Sequence, residues 1–171
     1  MKKMYFLIAF SLIAMTACQQ NPAPVPVDRE AEKTAIGGML DALYSAVNDK
    51  DVDALASLFT EDLLFCGSDP SEFWTREEIV DQWAQMFDQM DSSQVVKIEM
   101  ISDREIRLSA DGTTAIVVEQ YVWPLFTPGI PWRNVYEVIK DQDQWLIHFV
   151  SSALIPKNED LPKLNMAMME E

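Results

Sequence analysis

The spacing of apolar residues changes its period in the middle of the chain, and this change limits the folds that the sequence can adopt. Up to Met90 apolar residues recur every three to four positions, whereas from Val96 onward they alternate with polar residues. The first pattern is typical of amphipathic helices and the second of half-buried strands. Helices that precede the strands, instead of alternating with them, predict the α+β class.

Three helices are predicted before the change of period. The first spans residues 31–48, and its apolar face comprises Ile36, Met39, Leu40, Leu43, Tyr44 and Val47. A shorter second helix follows the acidic corner at residues 48–51. The third begins at Thr75, which forms a capping box with Glu78, while Trp74 and Ile79 have the spacing of a hydrophobic staple. Trp74 therefore has two possible roles, as a staple residue and as part of a pocket mouth.

The second half predicts strands joined by short turns. Each predicted strand shows alternating apolar and polar residues or a run of β-branched residues, and turn residues bound it. Asp111-Gly112 is the clearest signal for a hairpin turn. Strands are predicted at residues 63–66, 96–108 with an irregularity at 102–103, 113–126, 132–140 and 145–154. We expect a cone-shaped fold in which three N-terminal helices pack on a curved, mostly antiparallel sheet of four to five strands.

The first residues are those of an export signal. Lys2 and Lys3 precede an apolar run of about a dozen residues, shorter than a membrane span, and small residues follow. Residues 15–18, Met-Thr-Ala-Cys, resemble a bacterial lipobox with Cys18 as the acylated residue. Several acyl chains anchor a protein stably where one does not. The sequence therefore predicts a lipoprotein of the bacterial cell envelope, at the outer membrane or on the periplasmic side where two membranes exist.

These signals divide the chain into four parts. They are a signal peptide at residues 1–17, a lipidated Pro-rich linker at 18–30, a domain at 31–156 and a Met-rich tail at 157–171. We expect the tail to be either a short helix or disordered. With Cys18 lipidated, Cys66 has no disulfide partner within the chain, and its apolar neighbours predict a buried thiol and not a nucleophile.

Charge and composition exclude several classes of function. The net charge of −15 opposes binding to nucleic acid. Five glycines do not supply repeated phosphate-binding loops, and one His with two Cys cannot form a tetrahedral zinc site made only of His and Cys. The acidic run at 49–53 lacks the glycine and terminal glutamate of a calcium loop. We expect neither a metal nor a cofactor.

Two segments resemble a known family. SLFTEDLLFCGSDPSEFWTREEIVDQW, residues 57–83, resembles the short strand, acidic aromatic loop and third helix of nuclear-transport-factor-2-like (SnoaL-like) proteins, and DQDQWLIHFVSS, residues 141–152, resembles their closing strand. The resemblance implies the cone-shaped fold and, often, a homodimer. Since the family includes enzymes and members without a known reaction, it does not fix an activity. The positions where related chains often carry His are Phe149 and Ser151 here, and strand alternation places them on the face of Trp145, opposite His148.

Several side chains are candidates for the site. Glu119, Tyr121 and Trp123 alternate on one strand face, and whether that face is the inner or the outer one stays open. Glu119 or His148 is a candidate base, and Tyr121 or Tyr136 is a candidate hydrogen-bond donor. The candidate pocket residues are Trp74, Trp83, Tyr121, Trp123 and Tyr136.

Three functions are compatible with these residues. The first is a membrane-tethered, non-catalytic module that binds a small apolar or amphipathic ligand in the cone. The second is an isomerase- or cyclase-type enzyme with a pocket carboxylate or His as general base. The third is an interaction module whose exposed sheet face forms a homodimer. We favour the first combined with the third, since no acid/base pair with defined spacing is present.

Overall fold

The computed structural model of the chain describes residues 26–91, 94 and 96–169. The predicted export signal and Cys18 lie outside the described residues. The helices are α1 (Arg29–Asp49), α2 (Val52–Ala56), α3 (Arg76–Gln89) and α4 (Leu161–Met169). The strands are β1 (Phe59–Cys66), β2 (Phe73–Thr75), β3 (Glu99–Met100), β4 (Glu105–Leu108), β5 (Thr114–Val122), β6 (Trp132–Asp141) and β7 (Gln144–Leu154).

Each of the first three helices begins after a capping side chain, and α1 begins at Arg29, two residues before its predicted start at 31. The Asp28 and Asp51 side chains accept hydrogen bonds from the backbone N–H groups of Ala31 and Ala54, at the starts of α1 and α2. Thr75 and Glu78 form the predicted capping box of α3. These caps satisfy donors that a helix start leaves without intrahelical partners. α1 ends at Lys50, whose positive φ of 56° turns the chain into α2.

The strands form one sheet in the order β2-β1-β7-β6-β5-β3, with β4 also paired to β5. Within the described residues this sheet has seven strands, more than the four to five predicted. The difference comes from the three-residue β2 and from the predicted strand at 96–108, which is divided into β3 and β4. β1 pairs with β7 in parallel, and the other pairs are antiparallel. The α+β class and the mostly antiparallel sheet are confirmed.

A β-bulge in β7 changes which side chains face inward. Glu137 of β6 pairs with Phe149 whereas Val138 pairs with Ile147, so His148 is an extra residue in β7. A bulge inserts one residue and reverses the alternation that follows it. Up to Ile147 the odd-numbered residues are buried, and beyond the bulge the buried residues are Val150 and Ser152. The prediction that Phe149 and Ser151 share the face of Trp145 is therefore wrong.

The core lies between the inner face of the sheet and the helices. Its fully buried members include Ile36, Leu40, Leu55, Val117, Val138 and Ile147. Each such aliphatic side chain contributes about 1.5–3 kcal/mol relative to its exposed state. α1 is also fixed by Glu32, which accepts hydrogen bonds from Lys140 Nζ at 2.7 Å and Trp145 Nε1 at 2.8 Å.

The tail contains a helix that contributes nothing to this core. α4 has no buried residue, and its Met168 and Met169 side chains are almost fully exposed. The tail was expected to be either a short helix or disordered, and in the structure it forms the helix α4. None of the helices in the described part of the chain combines the length and the apolar character that crossing a bilayer requires.

Candidate functional site

A cavity of about 310 Å³ lies between the helices and the inner face of the sheet. α1 and α2 contribute Leu43, Val47 and Leu55 to its walls, and the sheet contributes Phe59, Phe65 and Val150. The buried residues Tyr121, Asn134, Tyr136 and Ser152 line its inner end. The exposed or half-exposed residues Ser68, Glu72, Gln82 and Phe126 line its mouth. This volume and this lining are typical of small-molecule sites.

Aromatic rings form two groups in the cavity wall. In the first, Trp83 of α3 stacks on Trp123 at a centroid distance of 5.8 Å, and Phe126 and Trp132 pack edge-on against Trp123. In the second, Phe65 of β1 lies 5.8 Å from Trp74 of β2. Pairs at such distances are favourable and hold the rings in place. The cavity is therefore bounded by fixed aromatic surfaces.

Polar groups at the inner end are joined into a hydrogen-bond network centred on Asn134. Its Oδ1 accepts hydrogen bonds from Tyr121 at 3.2 Å and Ser152 at 2.7 Å, and its Nδ2 donates to the Tyr136 hydroxyl at 2.8 Å. The Tyr136 hydroxyl lies 3.4 Å from that of Tyr44 on α1. Because each buried polar group has a partner, the network is stable in the protein interior.

The network ends at Glu119, whose side chain is completely buried. One carboxylate oxygen accepts a hydrogen bond from the Tyr44 hydroxyl and the other from Arg104 Nε. Arg104 Nη1 also donates to the Gly37 carbonyl at 3.0 Å and to Asp41 at 2.7 Å. Burial acts to lower the pKa of Arg104, but its hydrogen bonds to Asp41 and Glu119 raise it overall. Glu119 is thus a paired charge that anchors the network.

The cavity tyrosines, Tyr44, Tyr121 and Tyr136, are held in their neutral forms. Burial is the main cause that raises the pKa of each of them far above the ordinary value of 10.0. The nearby carboxylate of Glu119 raises these pKa values further, since it repels a second negative charge. At neutral pH these groups therefore act as hydrogen-bond donors and acceptors and not as charged groups.

The structure brings the five predicted pocket residues together. Trp74, Trp83, Tyr121, Trp123 and Tyr136 all line the cavity. The open question about the face of β5 is thereby answered, because Tyr121 and Glu119 are on the inner face.

The two candidate bases are placed elsewhere. Glu119 lies behind the cavity lining, with both oxygens hydrogen-bonded. His148 is in the bulge of β7 and does not line the cavity; its Nδ1 lies 3.2 Å from Thr60 Oγ1 and 3.3 Å from Asp62. Neither group presents a free basic atom to the cavity. Cys66 is a half-buried free thiol outside the cavity lining.

The sequence interpretation did not include four members of the polar network. Tyr44 was assigned only to an apolar helix face, and Arg104 is within the irregular segment between β3 and β4. Asn134 alternates with Tyr136 on β6, so strand periodicity could have identified it. Ser152 could not be found in this way, because the bulge at His148 reverses the alternation before it.

The comparisons identify the family and the fold. The family model of the SnoaL-like domain matches residues 36–156. A domain with a cystatin-like fold from Nostoc punctiforme has a TM-score of 0.61 and 20% identity, covering 79% of this chain and 84% of that one. A nuclear-transport-factor-2-like protein from Cytophaga hutchinsonii has a TM-score of 0.57 and 20% identity, covering 72% and 98%.

A third solved structure agrees with these two. It is a nuclear-transport-factor-2-like protein of unknown function from Silicibacter pomeroyi, with a TM-score of 0.57 and 14% identity, covering 75% of this chain and 100% of that one. At these identities the likeness establishes the fold alone. Comparison with curated protein sequences finds no match.

Proposed function

Since the chain belongs to the SnoaL-like domain family and encloses a cavity with aromatic walls and a polar inner end, we propose that it is a small-molecule-binding module. The ligand has an apolar body that contacts the Trp83–Trp123 wall. It also has a group that can form hydrogen bonds with Tyr121 or Ser152, whose oxygens keep lone pairs after donating to Asn134. The cavity, lined by fixed rings, is the observation that carries this proposal.

A binding role without catalysis fits the placement of the titratable groups. General base catalysis requires a basic atom within hydrogen-bond reach of the substrate proton. Glu119 has both oxygens occupied, and His148 is outside the cavity. The neutral cavity tyrosines can orient a ligand but do not take up a proton. The isomerase- or cyclase-type alternative would need another base, and no observation favours it.

A mouth-blocking variant tests the binding proposal. Gln82 is an exposed residue of α3 that lines the mouth, so Gln82→Trp should obstruct entry without disturbing the core. Gln85→Trp, also exposed on α3 but away from the cavity lining, is the matched control. Titration with the neutral fluorescent probe N-phenyl-1-naphthylamine should show saturable binding to the wild-type protein and to the control, and at least about ten-fold weaker binding to Gln82→Trp. Equal binding to all three proteins would contradict the proposal.

The proposal includes export and tethering to the membrane. The basic start, the apolar run and the lipobox before Cys18 support it, as does the Pro-rich spacer that connects Cys18 to the domain. The expected location is the bacterial cell envelope. A Cys18→Ala variant should move from the membrane fraction to the soluble fraction and should not incorporate labelled palmitate. A variant that stays in the membrane fraction would contradict lipid anchoring.

A homodimer through the outer sheet face is supported by the composition of that face. The half-exposed apolar residues Val118 and Val135 are paired across β5 and β6, and Ile116 is 41% exposed beside them. Arg133 and Glu137 of β6 flank this patch with opposite charges, so a two-fold related copy can present complementary charges. Sedimentation velocity should find a dimer for the wild-type protein and a monomer for Val135→Lys, with Gln85→Lys as the control. A wild-type monomer at high concentration would contradict this part of the proposal.

A further inference from the structure

If the cavity binds a small molecule, as proposed above, the charge of its lining indicates the class of that ligand. Glu72 is the single charged residue among the described residues that line the cavity, and none of them is Lys, Arg or His. We infer that the ligand is a cation, an amine or quaternary ammonium compound with an apolar body, whose positive group lies at the mouth near Glu72.

The Glu72 carboxylate is held in position by its loop. Its Oε2 accepts a hydrogen bond from the backbone N–H of Asp69 at 2.9 Å. A Cβ at position 67 would lie 2.1 Å from the same oxygen, so only Gly67 allows the carboxylate to occupy this place. The other oxygen, Oε1, has no hydrogen-bond or ion-pair partner within the described residues. An oriented carboxylate with a free oxygen at a cavity mouth is suited to a cationic group.

The aromatic walls also favour a cation. Trp74 follows Glu72 by two residues and lines the same cavity, as do Trp83 and Trp123. The faces of Trp rings carry negative electrostatic potential and attract ammonium groups, an arrangement that proteins use for quaternary ammonium ligands. A cationic ligand in this cavity would therefore have both a carboxylate and aromatic side chains in its lining.

The charges around the cavity mouth disfavour an anionic ligand. The net charge of the chain is −15, and the mouth loop carries Asp69 beside Glu72. The next cationic residue in the sequence, Arg76, donates to the Ala56 carbonyl at 3.0 Å and is near Glu61, and it does not line the cavity. The buried charge of Glu119 is already balanced by Arg104. An anion would thus enter a negative field without a counter-charge.

An isosteric series of probes separates charge from shape. Benzyltrimethylammonium, neopentylbenzene and phenylmethanesulfonate have similar bodies and carry positive, zero and negative charge. Tryptophan fluorescence titrations of the full-length protein should give binding of the cation at least about five-fold tighter than of the neutral isostere, with the anion weakest. Glu72→Gln should remove most of this preference, and the loop geometry should be kept because a Gln oxygen can still accept from Asp69 N–H.

Glu77→Gln is the matched control, since it removes the same charge from an exposed residue of α3 outside the cavity lining. It should keep the preference for the cation. Equal or tighter binding of the neutral isostere, or a preference that persists in Glu72→Gln, would overturn the inference while leaving the proposed binding function intact. Failure of all three probes to bind, with N-phenyl-1-naphthylamine also inactive, would overturn both.

Discussion

Removal of the positive partner of Glu119 is expected to destabilise the whole domain. Arg104→Met keeps the length of the side chain but leaves the completely buried carboxylate with Tyr44 as its only remaining hydrogen-bond partner among those described. Breaking a buried pair by removing one partner costs about 3–5 kcal/mol, because an uncompensated charge stays in the interior. The Arg104 side chain is 20% exposed, so water can partly replace it and we expect about 3 kcal/mol.

The other contacts of Arg104 add a smaller amount to this figure. Loss of the hydrogen bond to the Gly37 carbonyl adds about 1 kcal/mol. The Asp41 side chain is 72% exposed, and an ion pair to such a group contributes about 0.5 kcal/mol or less. The free energy of unfolding should therefore fall by about 4–4.5 kcal/mol, a large part of the 5–15 kcal/mol typical of a domain.

Urea denaturation of the purified variants at pH 7 measures this change. The informative comparison is with Arg104→Met/Glu119→Gln, which has neither charge and should recover about 2 kcal/mol relative to Arg104→Met. A loss below about 1 kcal/mol for Arg104→Met, or no recovery in the double variant, would refute the reasoning that a buried ion pair anchors the network.

Three further predictions concern titration and capping. Hydrogen bonds from Lys140 and Trp145 lower the pKa of Glu32 below its ordinary value of 4.5. The stability that these hydrogen bonds contribute is therefore present above pH 4.5 and lost as the pH falls through the lowered pKa. Glu32→Gln should make the free energy of unfolding depend less on pH in the acid range, and an unchanged pH dependence would contradict this role of Glu32. The raised pKa values of the three cavity tyrosines predict that, in a folded variant with Tyr5 replaced by Phe, tyrosinate absorbance does not develop at pH 10.0, whereas the same variant should show it when denatured. The backbone N–H and, to a smaller extent, the hydroxyl of Thr75 lower the pKa of Glu78; Thr75→Ala removes only the hydroxyl and should cost about 1 kcal/mol and raise this pKa part of the way to 4.5 in an NMR titration, while Thr75→Ser should change neither.

The fold was largely predictable because its determinants are local. The apolar spacing placed α1, the capping box placed the start of α3 at Thr75, and the Asp141–Asp143 turn placed the β6–β7 hairpin. Positive φ values of 46° at Gln142 and 70° at Asp143 show the tight turn that this sequence adopts. Each of these signals depends on a few neighbouring residues, which is why one sequence is sufficient.

The site was predictable only in part because its geometry depends on contacts between distant segments. The aromatic residues were identifiable by type and alternation, but the partner of Glu119 is on an irregular segment with no periodic signal. The bulge at His148 depends on how β7 pairs with β6, which alternation alone does not report. Glu72 is within a turn, where the sequence pattern does not indicate whether a side chain faces the cavity.

Electron density in the cavity of crystals grown from natively purified protein, with no ligand added, is the most direct test of the binding account. We predict continuous density between the Trp83–Trp123 wall and the polar group of Tyr121 and Ser152, in a space of about 310 Å³. Side chains that have closed together and filled that space would contradict it.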